Sequence, residues 1–294
     1  VGKIFSSIWQ FLTAPFRWAL KGLKTIFQKT PLAIFFEADP DDDSIIDTFQ
    51  KTVDDPKGVL SAMMFHLNDL RKHIFNAILV LIVAVIVAFI FVPNILDFLS
   101  EPIGGIEEMS AIDITEPVSI VMRTAFMTGF VIALPYITFE ILRFIAPGIS
   151  RRARLIGLAG IPFITLFFLG GMAFTFYIIL PAAIPALVNF MGIPTLVRPS
   201  NYLGFTLSLM FWIGLFFEFP IVSLIVSAMG SLTAKGLAKQ WRIAVVIMTI
   251  LAAIVTPTVD PINMMIVLLP LIGLYILSIA FAFIGQNFKF IKNN

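Results

Sequence analysis

Ile74-Phe-Asn-Ala-Ile-Leu-Val-Leu-Ile-Val-Ala-Val-Ile-Val-Ala-Phe-Ile-Phe-Val92 holds 15 Ile, Leu, Val or Phe among 19 residues and no charge. That is the length and composition of a helix that crosses a bilayer. At about −0.4 kcal/mol per such residue on the insertion scale, the segment gains on the order of −6 kcal/mol, enough to insert alone. Five comparable stretches follow, near Thr124–Leu142, Leu155–Leu180, Tyr202–Met229, Ile243–Val259 and Ile262–Ile284. The reading is an all-α polytopic membrane protein with six transmembrane helices. Bulk composition agrees, because 59% hydrophobic residues, 13% charged residues and a mean hydropathy of +0.99 lie far outside the range of water-soluble domains.

Orientation follows from where the charges fall. Arg71 and Lys72, then Arg143, Arg151, Arg152 and Arg154, then Lys235, Lys239 and Arg242, and finally Lys289 and Lys292 all fall on one side of the six crossings. The other side has Arg198, with Arg123 at a span boundary, and is otherwise acidic: Asp97, Glu101, Glu107, Glu108, Asp113, Glu116 and Asp260. The positive-inside rule therefore puts both termini in the cytoplasm. The spans after Arg242 read as short and are separated only by a Pro257–Pro261 turn, so one side of the bundle is expected to thin the bilayer locally. Pro135, Pro162, Pro181, Pro220 and Pro270 are expected to kink or end helices.

Residues 1–36 interleave Lys3, Arg17, Lys21, Lys24 and Lys29 with Phe5, Trp9, Phe11, Phe16, Trp18 and Phe27. This is the pattern of an amphipathic segment lying on the membrane surface, or of an unstructured tail, since Pro15 interrupts the helical run. Residues 37–57 form an acidic linker containing Asp41-Asp42-Asp43, too charged to enter a bilayer. Residues 58–294 make the membrane domain.

Several chemistries are excluded. A net charge of +2 gives no reason to expect nucleic acid. The absence of cysteine removes disulfides, iron–sulfur clusters and thiol catalysis. His66 and His73 are the only imidazoles and flank a polar turn, so no metal site and no cofactor are expected. Neither a phosphate-binding loop nor a Ser–His–Asp or HExxH arrangement occurs, so no catalytic residues are assigned and the chain is not read as an enzyme.

Two places need explaining. Glu218 sits inside an apolar run between Phe217 and Phe219-Pro220, where a carboxylate costs about 2–3 kcal/mol to insert. Either it only bends the helix beside Pro220, or it offers a polar contact to a substrate or a partner helix. Asp69 is the second. It is the one carboxylate in the basic turns after residue 60, with Glu140 just inside the second span, and an acid there suits a basic ligand.

His66-Leu-Asn-Asp-Leu-Arg71, Thr115-Glu116-Pro117, Phe144-Ile-Ala-Pro147-Gly148, Phe176-Tyr-Ile-Ile-Leu-Pro181, Phe217-Glu-Phe-Pro220 and Thr256-Pro-Thr-Val-Asp-Pro261 occur in this order along the six spans. Together they resemble the TatC family, the core receptor subunits of the twin-arginine protein translocase. The resemblance implies a concave six-helix bundle in the prokaryotic cytoplasmic (inner) membrane. It implies recognition of twin-arginine signal peptides of folded cargo at the cytoplasmic face, recruitment of TatA/TatB-type single-span subunits, and homo-oligomers in the active complex. Carried over residue by residue, Asp69, Arg71, Phe144 and Pro147 belong to signal-peptide binding, Glu116 and Pro117 to an outer-loop motif, and Glu218 to an intramembrane contact with a partner helix. Two departures stand out. Asp69 replaces the family's usual glutamate, and Ala153 occupies the place of a second recognition glutamate. Glu140, where the family has a neutral amide, either supplies the missing carboxylate or is neutralised by Arg143 three residues on.

The alternative from another class is an ion-coupled secondary transporter using Glu218 as its proton site. No inverted repeat and no relay of further intramembrane acids supports it. A plain scaffold for other subunits would use Glu218 and leave Asp69 without a role.

Overall fold

The computed structural model describes residues 56–148, 151–188, 197–228, 230, 232–256 and 261–290 of the 294-residue chain. The interfacial segment 1–36, the acidic linker up to residue 55 and the turn at 257–260 lie outside the described residues. Every regular element described is helical. In order they are α1 (Pro56–Ala88), α2 (Val92–Ser100), α3 (Glu116–Ile145), α4 (Arg151–Phe174) and α5 (Leu180–Val188). Then come α6 (Pro199–Phe217), α7 (Phe219–Ala228), α8 (Ala234–Lys239), α9 (Trp241–Val255) and α10 (Pro261–Phe290).

Proline sets many of the boundaries. It occupies the first turn of α2 (Pro93), α3 (Pro117), α6 (Pro199) and α7 (Pro220), where its missing N–H costs nothing and its fixed φ favours the helix. The first span closes at Ala88, earlier than Val92, because the chain turns through Phe89–Phe91 to enter α2. Pro135, Pro162 and Pro270 stay inside continuous helices. Pro181 follows a π-turn at Thr175–Ile179, the wider winding that relieves the clash of a proline ring with the carbonyl four residues back.

Among the described residues, five helical stretches are long and apolar enough to cross a membrane: Leu67–Ala88, Glu116–Ile145, Arg154–Pro185, Pro199–Ala228 and Met264–Asn287. Where the fifth span is expected, at Ile243–Val259, the helix is Trp241–Val255, apolar but only 15 residues long, about 22 Å against a hydrocarbon core of about 30 Å. The expectation that both late spans are short is corrected here, since α10 runs for 30 residues.

Packing uses small residues where backbones cross, as expected when lipid supplies no hydrophobic drive between helices. α1 lies along α3 with Gly129 against Val85, where a Cβ would come within 2.6 Å of the Val85 backbone. α4 crosses α6 at Gly171 and Gly214, a Cβ on the former falling 2.8 Å from the latter's Cα. α7 is fastened to α10 by hydroxyl bonds, Ser223 Oγ donating to the Ser278 carbonyl at 2.8 Å and Ser227 Oγ to that of Ala282 at 2.7 Å. The core gathers Leu99, Met127, Ile179, Leu209, Ile213 and Leu271. α1 stands at the edge: only 11% of its most apolar window is buried against the rest of the chain, compared with 33–39% for the other long spans.

Candidate functional site

At the end of the bundle carrying Arg71 and Arg143, the first turns of the α1 span meet the last turns of α3. Asp69 and His73 are one helical turn apart, on the face of α1 that packs toward α3. His73 is buried, and its two ring nitrogens face two acids from different helices. Nδ1 is 2.5 Å from Glu140 Oε2, and Nε2 is 3.6 Å from Asp69 Oδ2. With an ionised Glu140, the Nδ1 proton is the one donated. The Tyr136 hydroxyl donates to the other Glu140 oxygen at 2.7 Å, and Arg143 Nη1 stands 3.8 Å from it. Glu140 is 1% exposed, so it is a sealed acid whose oxygens are held by His73 and Tyr136.

Of the two roles expected for Glu140, neutralisation is nearer the geometry, but His73 and Tyr136 supply the close contacts and Arg143 stands at the edge of ion-pair range. Asp69 differs, because its side chain is 35% exposed and its carboxylate can reach an incoming group. The Phe144 ring meets the His73 ring edge-on at 6.1 Å between centroids. Pro147 is exposed on the short turn Ala146–Gly148, and Arg71 is exposed on α1. Asp69, Glu140 and Phe144 are thus brought together around His73, while Arg71 and Pro147 border them. The Ala153 side chain lies outside the described residues.

An apolar groove of about 540 Å³ runs along the α1–α3 seam from this cluster, lined by Ile74, Ile78, Leu81, Ile137 and Ile141 with His73 and Glu140 at one end. A polar head joined to an apolar slot can take a ligand that is cationic at one end and greasy along its length.

At the opposite end, Glu116 gathers the loop before α3 and the start of α6. Its Oε1 accepts from the Arg198 guanidinium and, at 3.1 Å, from Ser200 Oγ, while Oε2 accepts from the Ile112 N–H at 3.3 Å. Asp113 Oδ1 accepts from both the N–H and the hydroxyl of Thr115 at 3.0 Å, and these bonds hold its carboxyl below the usual range. The Tyr202 hydroxyl adds a bond to the Leu99 carbonyl at 2.9 Å. Pro117 opens α3 immediately after Glu116.

Glu218 occupies the joint between α6 and α7. Pro220 has no N–H to give, and at Glu218 the backbone bond tightens to the carbonyl three residues back, Leu215. The side chain points inward toward the backbone of Phe168, yet both carboxylate oxygens are buried and, among the described residues, neither has a hydrogen-bond partner. By helix rise it lies about 28 Å along the Pro199–Ala228 stretch, some 6 Å past its midpoint. A buried polar group left unpaired costs roughly 1–3 kcal/mol, a cost an outside donor could offset.

The family described as Sec-independent protein translocase protein (TatC) matches residues 65–270. The TatC protein of Deinococcus radiodurans is 30% identical over 234 residues, covering 76% of this chain and 87% of its own length. Chloroplastic TATC of Arabidopsis thaliana is 32% identical over 216 residues, 72% of this chain and 63% of its own. The chain belongs to the TatC family. Two crystal structures of the twin-arginine translocase receptor TatC share its fold. One has a TM-score of 0.65 at 27% identity over 75% of this chain and 99% of that one. The other, in DDM, has 0.66 at 29% identity over 73% and 98%. The TatC match takes in Asp69, His73, Glu116, Glu140, Phe144 and Glu218, and it places the chain among multi-span membrane proteins of protein transport. Sequence reasoning weighed His73 only beside His66, as a metal pair, and gave it no other role. Its four-residue spacing from Asp69 was the available signal.

Proposed function

We propose that this chain is the receptor and core subunit of a twin-arginine translocase, binding the arginine pair of a cargo signal peptide at the cytoplasmic face. The observation that carries the reading is the partly exposed Asp69 carboxylate facing His73, which lines one end of the α1–α3 groove. Guanidinium groups pair with carboxylates in bidentate fashion, and the apolar slot suits the hydrophobic stretch that follows the arginines in a signal peptide. In this reading Arg71 and Pro147 border the bound peptide and Phe144 packs on it. The basic end faces the cytoplasm by the positive-inside rule, with six crossings, Trp241–Val255 being the short one, and both termini inside. Glu218 offers its unpaired oxygens to a polar group on the transmembrane helix of a TatA/TatB-type subunit, and the working complex contains several copies of the chain in a prokaryotic inner membrane.

A photo-reactive residue placed at Ile78, in the slot, tests the peptide's path. It is expected to crosslink to the hydrophobic stretch of a bound signal peptide, while one at Ile247 on α9 is not. Equal labelling from both positions would remove the groove from the site.

A further inference from the structure

A second groove lies on the half of the bundle nearer Glu116. It has a volume of about 510 Å³ and runs between Met122, Arg123 and Phe126 of α3 and Gly204, Ser208 and Trp212 of α6. Arg123 is exposed, and among the described residues it has neither an ion-pair nor a hydrogen-bond partner. No carboxylate lines the groove. A Cβ on Gly204 would sit 2.8 Å from Arg123 Nη1, so the bare glycine is what lets the guanidinium lie against α6.

Depth identifies the missing anion. The 30 residues of α3 span about 45 Å and overrun a hydrocarbon core of about 30 Å by roughly 7 Å at each end. Arg123, seven residues after Glu116, is about 10 Å from the helix start, about 3 Å inside the hydrocarbon edge. From there an arginine stem reaches the headgroup layer.

We propose that this groove holds one membrane phospholipid, its phosphate on the Arg123 guanidinium with Ser208 nearby and an acyl chain along Phe126 and Trp212. A planar guanidinium takes a phosphate bidentately, and the pairing neutralises a charge that the protein leaves open at that depth. This inference is independent of the signal-peptide reading.

The test exchanges purified wild-type, Arg123→Gln, Arg123→Lys, Gly204→Ala and Lys239→Gln protein into nanodiscs of phosphatidylglycerol mixed with a phosphate-free galactolipid. Native mass spectrometry then counts retained lipids. Wild type and Lys239→Gln are expected to keep one phosphatidylglycerol. Arg123→Gln should lower that retention about tenfold, equivalent to about 1.4 kcal/mol, with a smaller loss for Gly204→Ala. If Arg123→Gln fails to fold, Arg123→Lys and Gly204→Ala decide, and undiminished retention in both overturns the proposal. Undiminished retention in folded Arg123→Gln, or equal retention of the galactolipid by wild type, also overturns it.

Discussion

His73 Nδ1 and Glu140 Oε2, 67 residues apart in the chain, lie 2.5 Å from each other where the first two long helices meet. Asp69 faces the other nitrogen of the same ring. The imidazole thereby orders two acids of different kinds, one sealed and one open to solvent.

Removing the ring exposes that dependence. His73→Ala leaves Glu140 buried with Tyr136 as its remaining close partner, and is expected to cost about 1–3 kcal/mol. Thermal unfolding in detergent should show the loss, and the double variant His73→Ala/Glu140→Leu should recover most of it. A double variant no more stable than the single one would mean that Glu140 is not held by His73.

The Glu116–Arg198 pair fastens the opposite end. Arg198→Ala should raise hydrogen exchange at residues 110–116 and destabilise the protein by about 1–3 kcal/mol, because Glu116 stays buried with its cation gone. Nearby Asp113 has a folded pKa below its ordinary 3.8. Its contribution is therefore complete above that ordinary value and is lost as pH falls through the lowered one. The Thr115 amide resonance should titrate with a midpoint below 3.8, the ordinary value for an aspartate.

Glu218 is predicted to matter for transport and not for insertion. Glu218→Gln removes an unpaired buried acid without changing shape, so membrane levels and thermal stability should match or exceed wild type, while export of a twin-arginine reporter should fall at least tenfold. Unchanged export would leave Glu218 as a bend beside Pro220 and nothing more.

Helix length makes a prediction of its own. Trp241–Val255, about 22 Å long, falls short of the bilayer core by roughly 8 Å. Spin labels at Trp241 and Val255 should therefore both report shallow depth in nanodiscs, the sign of a locally thinned bilayer. A deep reading at either position would show that this helix does not cross as a short span.

Much of this architecture was legible beforehand because insertion energetics act on composition. A run such as Ile74–Val92 is decisive without knowledge of its neighbours, and Glu218 stands out because such a run surrounds it. The close of α1 at Ala88 was less legible, since the residues on both sides are equally apolar and Pro93 is the one local marker. The partners of the acids were not legible at all. Glu140 with His73, and Glu116 with Arg198, are pairings across 67 and 82 residues, set by the register in which helices pack, and that register leaves no periodic trace in the chain. Close crossings such as Gly129 on Val85 belong to the same class.

The central claim is tested most directly by the binding of a twin-arginine signal peptide and its twin-lysine counterpart to the purified protein in nanodiscs, for wild type and Asp69→Asn. The account predicts that wild type prefers the arginine form at least tenfold and that Asp69→Asn loses the preference while unfolding at the wild-type temperature. Equal binding of both peptides to wild type, or a preference that survives in Asp69→Asn, would contradict it.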